Sequence, residues 1–86
     1  MLVLIPSPLR SYTGNLCEVE ECGSTLAELL DNLDRRFPGI RFRMIDEQDA
    51  IRKHIRIYVD KELSPSIGLK LAGNERIQIV CALSGG

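Results

Sequence analysis

Apolar and polar positions divide the first twenty residues into two strand-like segments. The chain opens with the apolar run Leu2 to Ile5, and a strand-like composition returns at 16–20. The connection "PSPLRSYTGN" contains two prolines and is longer than a tight turn. This pattern predicts two paired strands, joined by an ordered loop on the surface.

The clearest helical pattern follows. Thr25 and Glu28 have the spacing of a capping box, in which the two side chains accept hydrogen bonds from free backbone N–H groups. Apolar residues then recur at helical spacing until Pro38-Gly39 ends the pattern. We therefore predict a helix over 25–37, with arginines in its last turn and one apolar stripe toward the core. The stripe consists of Leu26, Leu29, Leu30, Leu33 and Phe37.

Two segments after the helix alternate between apolar and polar residues. "IRFRMI", at 40–45, alternates apolar residues with arginine, which predicts a strand or an extended segment. "HIRIYVD", at 54–60, alternates more regularly and predicts a strand that ends in a turn near Asp60-Lys61.

The remaining part of the chain supplies the last strand. No strand period is present over 64–71, for which we predict a short helical turn. "AGNE" then turns the chain into a strand over 76–82, with Ile77 and Ile79 facing inward.

The order of these elements predicts an α+β fold. The first and last strands are short apolar runs, as is typical of buried parallel strands in the middle of a sheet. A mixed sheet of four to five strands covered by the main helix (25–37) is the arrangement of the ubiquitin-like β-grasp. Eighty-six residues, 44% hydrophobic and 27% charged, fit a single domain over 1–86.

Charge and hydropathy exclude several classes of partner. The net charge is −1, and the lysines and arginines are scattered, so we expect no binding to nucleic acid or to an anionic membrane. The apolar run before Pro6 is too short for a signal peptide or a membrane span. We therefore expect a cytoplasmic protein.

Few residues suggest chemistry inside the domain. Cys17, Cys22 and Cys81 contain no C-x-x-C pair, and His54 is the only histidine, so we expect no metal and no cofactor. A Cys17–Cys22 disulfide is geometrically conceivable, but a reducing compartment favours three free thiols. Cys22 precedes the predicted helix N-terminus, but neither a neighbouring cation nor a second thiol supports a redox role. No nucleophile with a base beside it is present, and we expect a protein that is not an enzyme.

The chain ends on "IQIVCALSGG", a strand-like run followed by two glycines. Chance would produce a terminal Gly-Gly in about one chain in 200. Residues without a Cβ pass through a narrow channel, so Gly85 would help to bring the carboxylate of Gly86 to a reactive centre in another protein. The five residues from Ala82 onward extend at most about 17 Å, enough to reach a partner's site. The alternative is an incidental, flexible end of the domain.

These features together resemble the bacterial sulfur-carrier proteins, including ThiS and MoaD. The resemblance covers nearly the whole chain and rests on the helix "TLAELLDNL", the strand and turn "IYVDKEL", and the diglycine end. The opening "IPSPLRSYTG" is similar in particular to the CysO-like carriers of cysteine biosynthesis.

This resemblance implies a protein cosubstrate that partner enzymes act on. An E1-like enzyme would adenylate Gly86 with ATP, and sulfur would then replace AMP to form a thiocarboxylate. Gly85 would give clearance in the partner's channel, and the apolar residues beside the tail, Val80, Ala82 and Leu83, would contribute to docking.

The sulfur acceptor and the final use of the activated tail stay open at the level of the sequence. A cysteine synthase would receive the sulfur in cysteine biosynthesis. The large subunit of molybdopterin synthase would receive it if the chain is a MoaD-like small subunit. A ubiquitin-like modifier would instead be joined to lysine through Gly86, and a β-grasp interaction module would not use its end at all.

Overall fold

The computed structural model describes residues 1–82. Its five strands, two α-helices and one 3₁₀ helix enclose a single core of leucine, isoleucine, valine and methionine side chains. The strands are β1 (Leu2–Leu4), β2 (Glu18–Glu20), β3 (Ile55–Val59), β4 (Glu62–Leu63) and β5 (Arg76–Cys81). The helices are the 3₁₀ helix (Ser7–Tyr12), α1 (Leu26–Arg36) and α2 (Ile40–Met44).

The sheet has the strand order β2-β1-β5-β3-β4. β1 and β5 lie side by side and parallel in its centre, with Val3 opposite Ile77, and the other neighbours are antiparallel. Both of these side chains are fully buried, because the central strands are covered on their inner face by the helices. The predicted α+β class, the mixed sheet and the ubiquitin-like β-grasp arrangement are confirmed.

Helix α1 begins at the predicted cap. The Thr25 hydroxyl accepts a hydrogen bond from the Glu28 backbone N–H at 3.1 Å. The Glu28 carboxylate accepts in turn from the backbone N–H of Ser24, at 2.8 Å, rather than from that of the cap residue itself. The cap and Phe37 flank the helix, which accounts for the difference from the predicted bounds of 25–37. The four leucines of the predicted stripe, Leu26, Leu29, Leu30 and Leu33, are completely buried.

The prediction of a strand or extended segment at 40–45 is wrong, because residues 40–44 form helix α2. Gly39 has φ +97°, a left-handed conformation that lets the chain turn directly from α1 into a second helix. Ile40 and Met44, four residues apart, are both fully buried, whereas Phe42 between them is 58% exposed. In a segment this short, alternation with period two is indistinguishable from an i, i+4 helical face.

The predicted helical turn at 64–71 is also wrong. This segment contains a turn at 67–68 but no helix. The carbonyls of Ile67 and Leu69 accept hydrogen bonds from the N–H groups of Ala27 and Leu26, at 2.8 and 2.9 Å. The segment therefore runs alongside the start of α1, and its carbonyls satisfy two of the N–H groups that a helix leaves free in its first turn.

The loops that connect β3 to β4 and β1 to β2 have different structures. The Asp60-Lys61 turn is confirmed, and both residues have positive φ, as a two-residue β-hairpin of matching twist requires. The predicted surface loop at 6–15 is ordered, but it is not wholly on the surface. Its 3₁₀ helix buries Leu9, and Thr13 after the helix is also buried and donates a hydrogen bond to the Leu16 carbonyl.

Candidate functional site

Strand β5 leads to the end of the described chain. The predicted inward residues Ile77 and Ile79 are buried, while Val80 lies on the opposite face and is half-buried. Beyond the strand, the Ala82 N–H donates to the His54 carbonyl at 2.6 Å, so pairing with the β3 side continues to this residue. The backbone is therefore anchored in the sheet up to Ala82.

The face of the sheet opposite the helices carries an apolar group that sequence analysis missed in part. Strand register places Leu4, Gln78, Tyr58 and Leu63 in one row across this face, and Val80 follows Gln78 on the same side of β5. Leu63 is 54% exposed and lies on β4, a two-residue strand at the edge of the sheet. The turn at Asp60-Lys61 was the sequence signal from which the position of Leu63 could have been predicted, since this turn folds β4 back onto β3. We call Leu4, Tyr58, Leu63 and Val80 the open-face patch.

A cleft of about 350 Å³ lies beside the end of β5. The 3₁₀ helix, helix α2 and the segment before β3 form its walls, and Ala82 and Cys81 form the side next to the chain's end. We call it the tail-root cleft. Its other lining residues are Pro8, Leu9, Phe42, Arg43, Arg52 and His54.

The cysteines and the histidine do not form a reactive centre among residues 1–82. Cys17, Cys22 and Cys81 are free thiols, and the first two are exposed. Burial raises the pKa of the Cys81 thiol above its ordinary value of 9.0, so this side chain is neutral at pH 7 and packs against the core. His54 is exposed, and its contribution to this region is its backbone carbonyl.

Among residues 1–82, no group of three or more histidine, cysteine, aspartate or glutamate side chains is arranged to hold a metal ion. None of the described helices combines the length and the apolar character that a membrane span requires.

The site residues predicted from sequence divide into two groups. The structure places Val80 near the end of β5, on the open face of the sheet, and Ala82 directly after the strand, where it lines the tail-root cleft. Leu83, Gly85 and Gly86 lie outside the described residues.

Comparison with known proteins adds the family to this geometry. The ThiS family profile matches residues 3–86, which is nearly the whole chain and includes both terminal glycines. The chain belongs to the ThiS family. The resemblance that we drew from the helix, the turn and the diglycine end is thereby confirmed.

Individual relatives and solved structures are similar to this ThiS-family chain over nearly its whole length. The sulfur carrier protein CysO of Mycobacterium tuberculosis is 30% identical over 98% of this chain and 96% of its own length. A chain in the crystal structure of the Amycolatopsis orientalis BexX/CysO complex superposes with a TM-score of 0.90 at 31% identity, covering 99% of this chain and 98% of that one. The crystal structure of CysO from Mycobacterium tuberculosis superposes with a TM-score of 0.87 at 28% identity, over 95% and 98% of the two chains.

Proposed function

We propose that this chain is a sulfur carrier of the ThiS/CysO type that works through the carboxylate of Gly86. In the first step, a carboxylate oxygen attacks the α-phosphorus of ATP on an E1-like enzyme, and pyrophosphate leaves. In the second step, a hydrosulfide-equivalent donor attacks the acyl carbon of the adenylate, and AMP leaves with the oxygen. The product is a C-terminal thiocarboxylate, whose sulfur a further enzyme accepts. The chain is a cosubstrate in these steps and supplies no catalytic side chain.

The observation that carries the proposal is the family match that continues to Gly86, together with the anchoring of Ala82 in the sheet. Four residues follow Ala82, and an extended segment of that length spans at most about 14 Å. A partner would therefore receive the carboxylate about 14 Å from a rigid edge of the domain. Gly85, without a Cβ, would let the partner's channel close tightly around the backbone.

The surface around the anchor supports docking of a partner protein. Val80 belongs to the open-face patch, and Ala82, directly after β5, is exposed and lines the tail-root cleft. Exposed apolar groups beside a reactive terminus are what a partner would cover. We propose that Val80, Ala82 and Leu83 contact the enzyme that receives the tail. Among related structures, CysO of Amycolatopsis orientalis is found in a complex with BexX, which supports the use of this fold as a docking partner.

The destination we propose for the sulfur is cysteine biosynthesis, with a cysteine synthase as acceptor and the cytoplasm as location. The relatives named CysO support this assignment over transfer to a molybdopterin synthase large subunit. Conjugation of Gly86 to lysine is the other outcome that the same adenylate permits.

Intact-mass measurement separates these outcomes. The chain is incubated with ATP, its E1-like enzyme and a sulfide donor, and its mass is compared before and after. We expect replacement of one oxygen by sulfur in the native chain. Isopeptide-linked ladders would identify a modifier instead.

A matched pair of variants tests whether the terminal carboxylate is the working group. Addition of one alanine after Gly86 moves the carboxylate outward by about 3.5 Å, more than a reacting pair tolerates, and should abolish charging. Addition of one alanine before Met1 is the control and should leave charging intact. If the C-terminally extended chain is charged as well as the control, the proposal is wrong.

A further inference from the structure

The tail-root cleft combines an apolar floor with a positively charged rim. Leu9 is buried at its base, and the Phe42 ring stands beside it with 58% of that residue exposed. The guanidinium of Arg52 lies over the Phe42 ring, 4.6 Å from its centroid, and its Nε donates to the Phe42 carbonyl at 2.8 Å. Both interactions hold the arginine in one orientation at the edge of the cleft.

A second arginine is held in a similar way. Nε of Arg43 donates to the Tyr12 hydroxyl at 2.8 Å, and its guanidinium lies 6.0 Å from the centroid of that ring. The Tyr12 ring lies beside the position where Gly39 turns the chain into α2, since a Cβ added at Gly39 would lie 3.1 Å from that ring. Arg43 is therefore tied to two elements of the fold.

Neither arginine is neutralised within residues 1–82. The carboxylate partners found within 4.0 Å of an arginine belong to Arg36 and Arg41, on other parts of the surface. The pKa of Asp46 is lowered mainly by hydrogen bonds from the backbone N–H groups of Ala50 and Gln48, and the charge of Arg52 is the smallest of its causes. A preorganised guanidinium with free terminal N–H groups is a good receptor for a carboxylate.

The position of the cleft connects these charges to the tail. Ala82 lines the cleft and is also the last anchored residue before the diglycine end. A protein that encloses residues 83–86 must cover Ala82, and the nearest concave surface for it to fill is this cleft. The net charge of the chain is −1, so the two arginines form a local positive feature on an otherwise balanced surface.

We propose that the tail-root cleft is a docking site for the E1-like enzyme that activates Gly86. In this proposal an apolar side chain of the enzyme packs against Phe42, and an aspartate or glutamate carboxylate binds Arg52 and Arg43. The inference rests on the proposed function, because it assigns the partner of the same terminus. It differs from docking on the open-face patch, which lies on the other face of the sheet.

Direct binding to the purified E1-like enzyme of the same organism tests the proposal. Titration calorimetry compares the native chain with Arg52→Glu, Arg43→Glu and the control Arg35→Glu, which makes the same charge change on an exposed position of α1. We expect binding at least about tenfold weaker for the two cleft variants and within about twofold for the control. Added NaCl should weaken binding of the native chain more than that of an Arg43→Gln, Arg52→Gln double variant.

Folding and adenylation are measured on the same proteins. Thermal unfolding identifies any variant that does not fold. The glutamine variant at the same position, Arg52→Gln or Arg43→Gln, which keeps an amide donor, then replaces it. Release of pyrophosphate reports adenylation separately. If the native chain is adenylated but the cleft variants bind as the control does, this proposal is wrong and the proposed function stands. If binding depends on the cleft but no pyrophosphate is released, the docking site is supported and the proposed function is wrong.

Two other occupants would overturn the proposal. Capture of the chain's own terminal carboxylate would make Arg52→Gln bind the enzyme more tightly than the native chain, because a competing contact is removed. Pairing of two copies would appear in sedimentation as a concentration-dependent dimer that Arg52→Glu abolishes.

Discussion

Gly23, in the connection between β2 and α1, lies against the backbone of the helix that follows it. A Cβ at this position would lie 2.5 Å from the backbone nitrogen of Leu29, 2.8 Å from its Cα and 3.0 Å from its Cβ. Leu29 is fully buried, so the helix is held from its other side by the core. We predict that Gly23→Ala destabilises the domain, because the connection is held on both sides of Gly23. The Cys22 carbonyl accepts a hydrogen bond from the Asn32 side chain at 2.8 Å, and the Ser24 carbonyl accepts one from the Leu71 N–H at 2.9 Å.

The size of the effect follows from these distances. Ordinary contact begins near 3.4 Å, so the connection and the helix would have to separate by about 0.9 Å. Inserting a single carbon into a packed region typically costs about 1–3 kcal/mol. In a domain of this size, each kcal/mol lowers Tm by about 4–8 °C.

Urea unfolding followed by circular dichroism measures this loss, with Gly68→Ala as the matched control. A Cβ at Gly68 would meet only the Ser66 hydroxyl, at 3.8 Å, and the backbone there does not have positive φ. The control should therefore be neutral, or more stable by about 0.4–1 kcal/mol through the entropy of the unfolded chain. Equal midpoints for Gly23→Ala and Gly68→Ala would refute the close approach of the connection to α1.

Two further predictions concern helix α2 and the turn before β5. Met44→Ala should lower the free energy of unfolding by about 2–5 kcal/mol and Phe42→Ala by no more than about 1 kcal/mol, because only the first substitution removes a fully buried side chain. Similar losses for the two variants in urea unfolding would instead favour the strand that the alternation predicts. The Glu75 carboxylate accepts hydrogen bonds from the N–H groups of Ala72 and Gly73, at 2.6 and 2.8 Å, which lowers its pKa below the ordinary 4.5. The stabilisation of the fold by this carboxylate is therefore complete above pH 4.5 and is lost as the pH falls through the lower folded-state pKa. Glu75→Gln should be less stable than the native chain at pH 7 and equally stable in acid. A constant difference in unfolding free energy from pH 7 to pH 2 would contradict this.

Local patterns predicted the elements that do not depend on distant partners. The cap at Thr25 and the leucine stripe define α1 because a helix of three turns repeats its apolar face often enough to be recognised. Strand β5 was predicted with the correct inward residues, Ile77 and Ile79, because its alternation is regular. The family resemblance was available for the same reason, since it depends on α1, on the strand and turn "IYVDKEL" and on the diglycine end.

The two wrong assignments come from segments whose conformation depends on other parts of the chain. Helix α2 forms because the carboxylate of Asp34, on α1, accepts hydrogen bonds from the N–H groups of Gly39 and Arg41 at 3.1 and 3.0 Å. The 64–71 segment pairs with the first turn of α1, whose free N–H groups donate to its carbonyls, and it forms no helical turn of its own. Neither contact leaves a signal in the local pattern of apolar residues.

The amino-acid sequence alone was enough to predict the β-grasp fold, the central position of the last strand and the family resemblance, and it is the source of the proposal for Gly86. These depend on the periodicity of single elements and on the chemistry of one terminus, which are local properties. The open-face patch and the tail-root cleft were decided only by tertiary structure. Each joins residues that are far apart in the chain, such as Leu4 with Leu63, or Phe42 with Ala82. Strand order and helix packing bring them together, because only the folded chain determines which side chains lack neighbours and remain available to a partner.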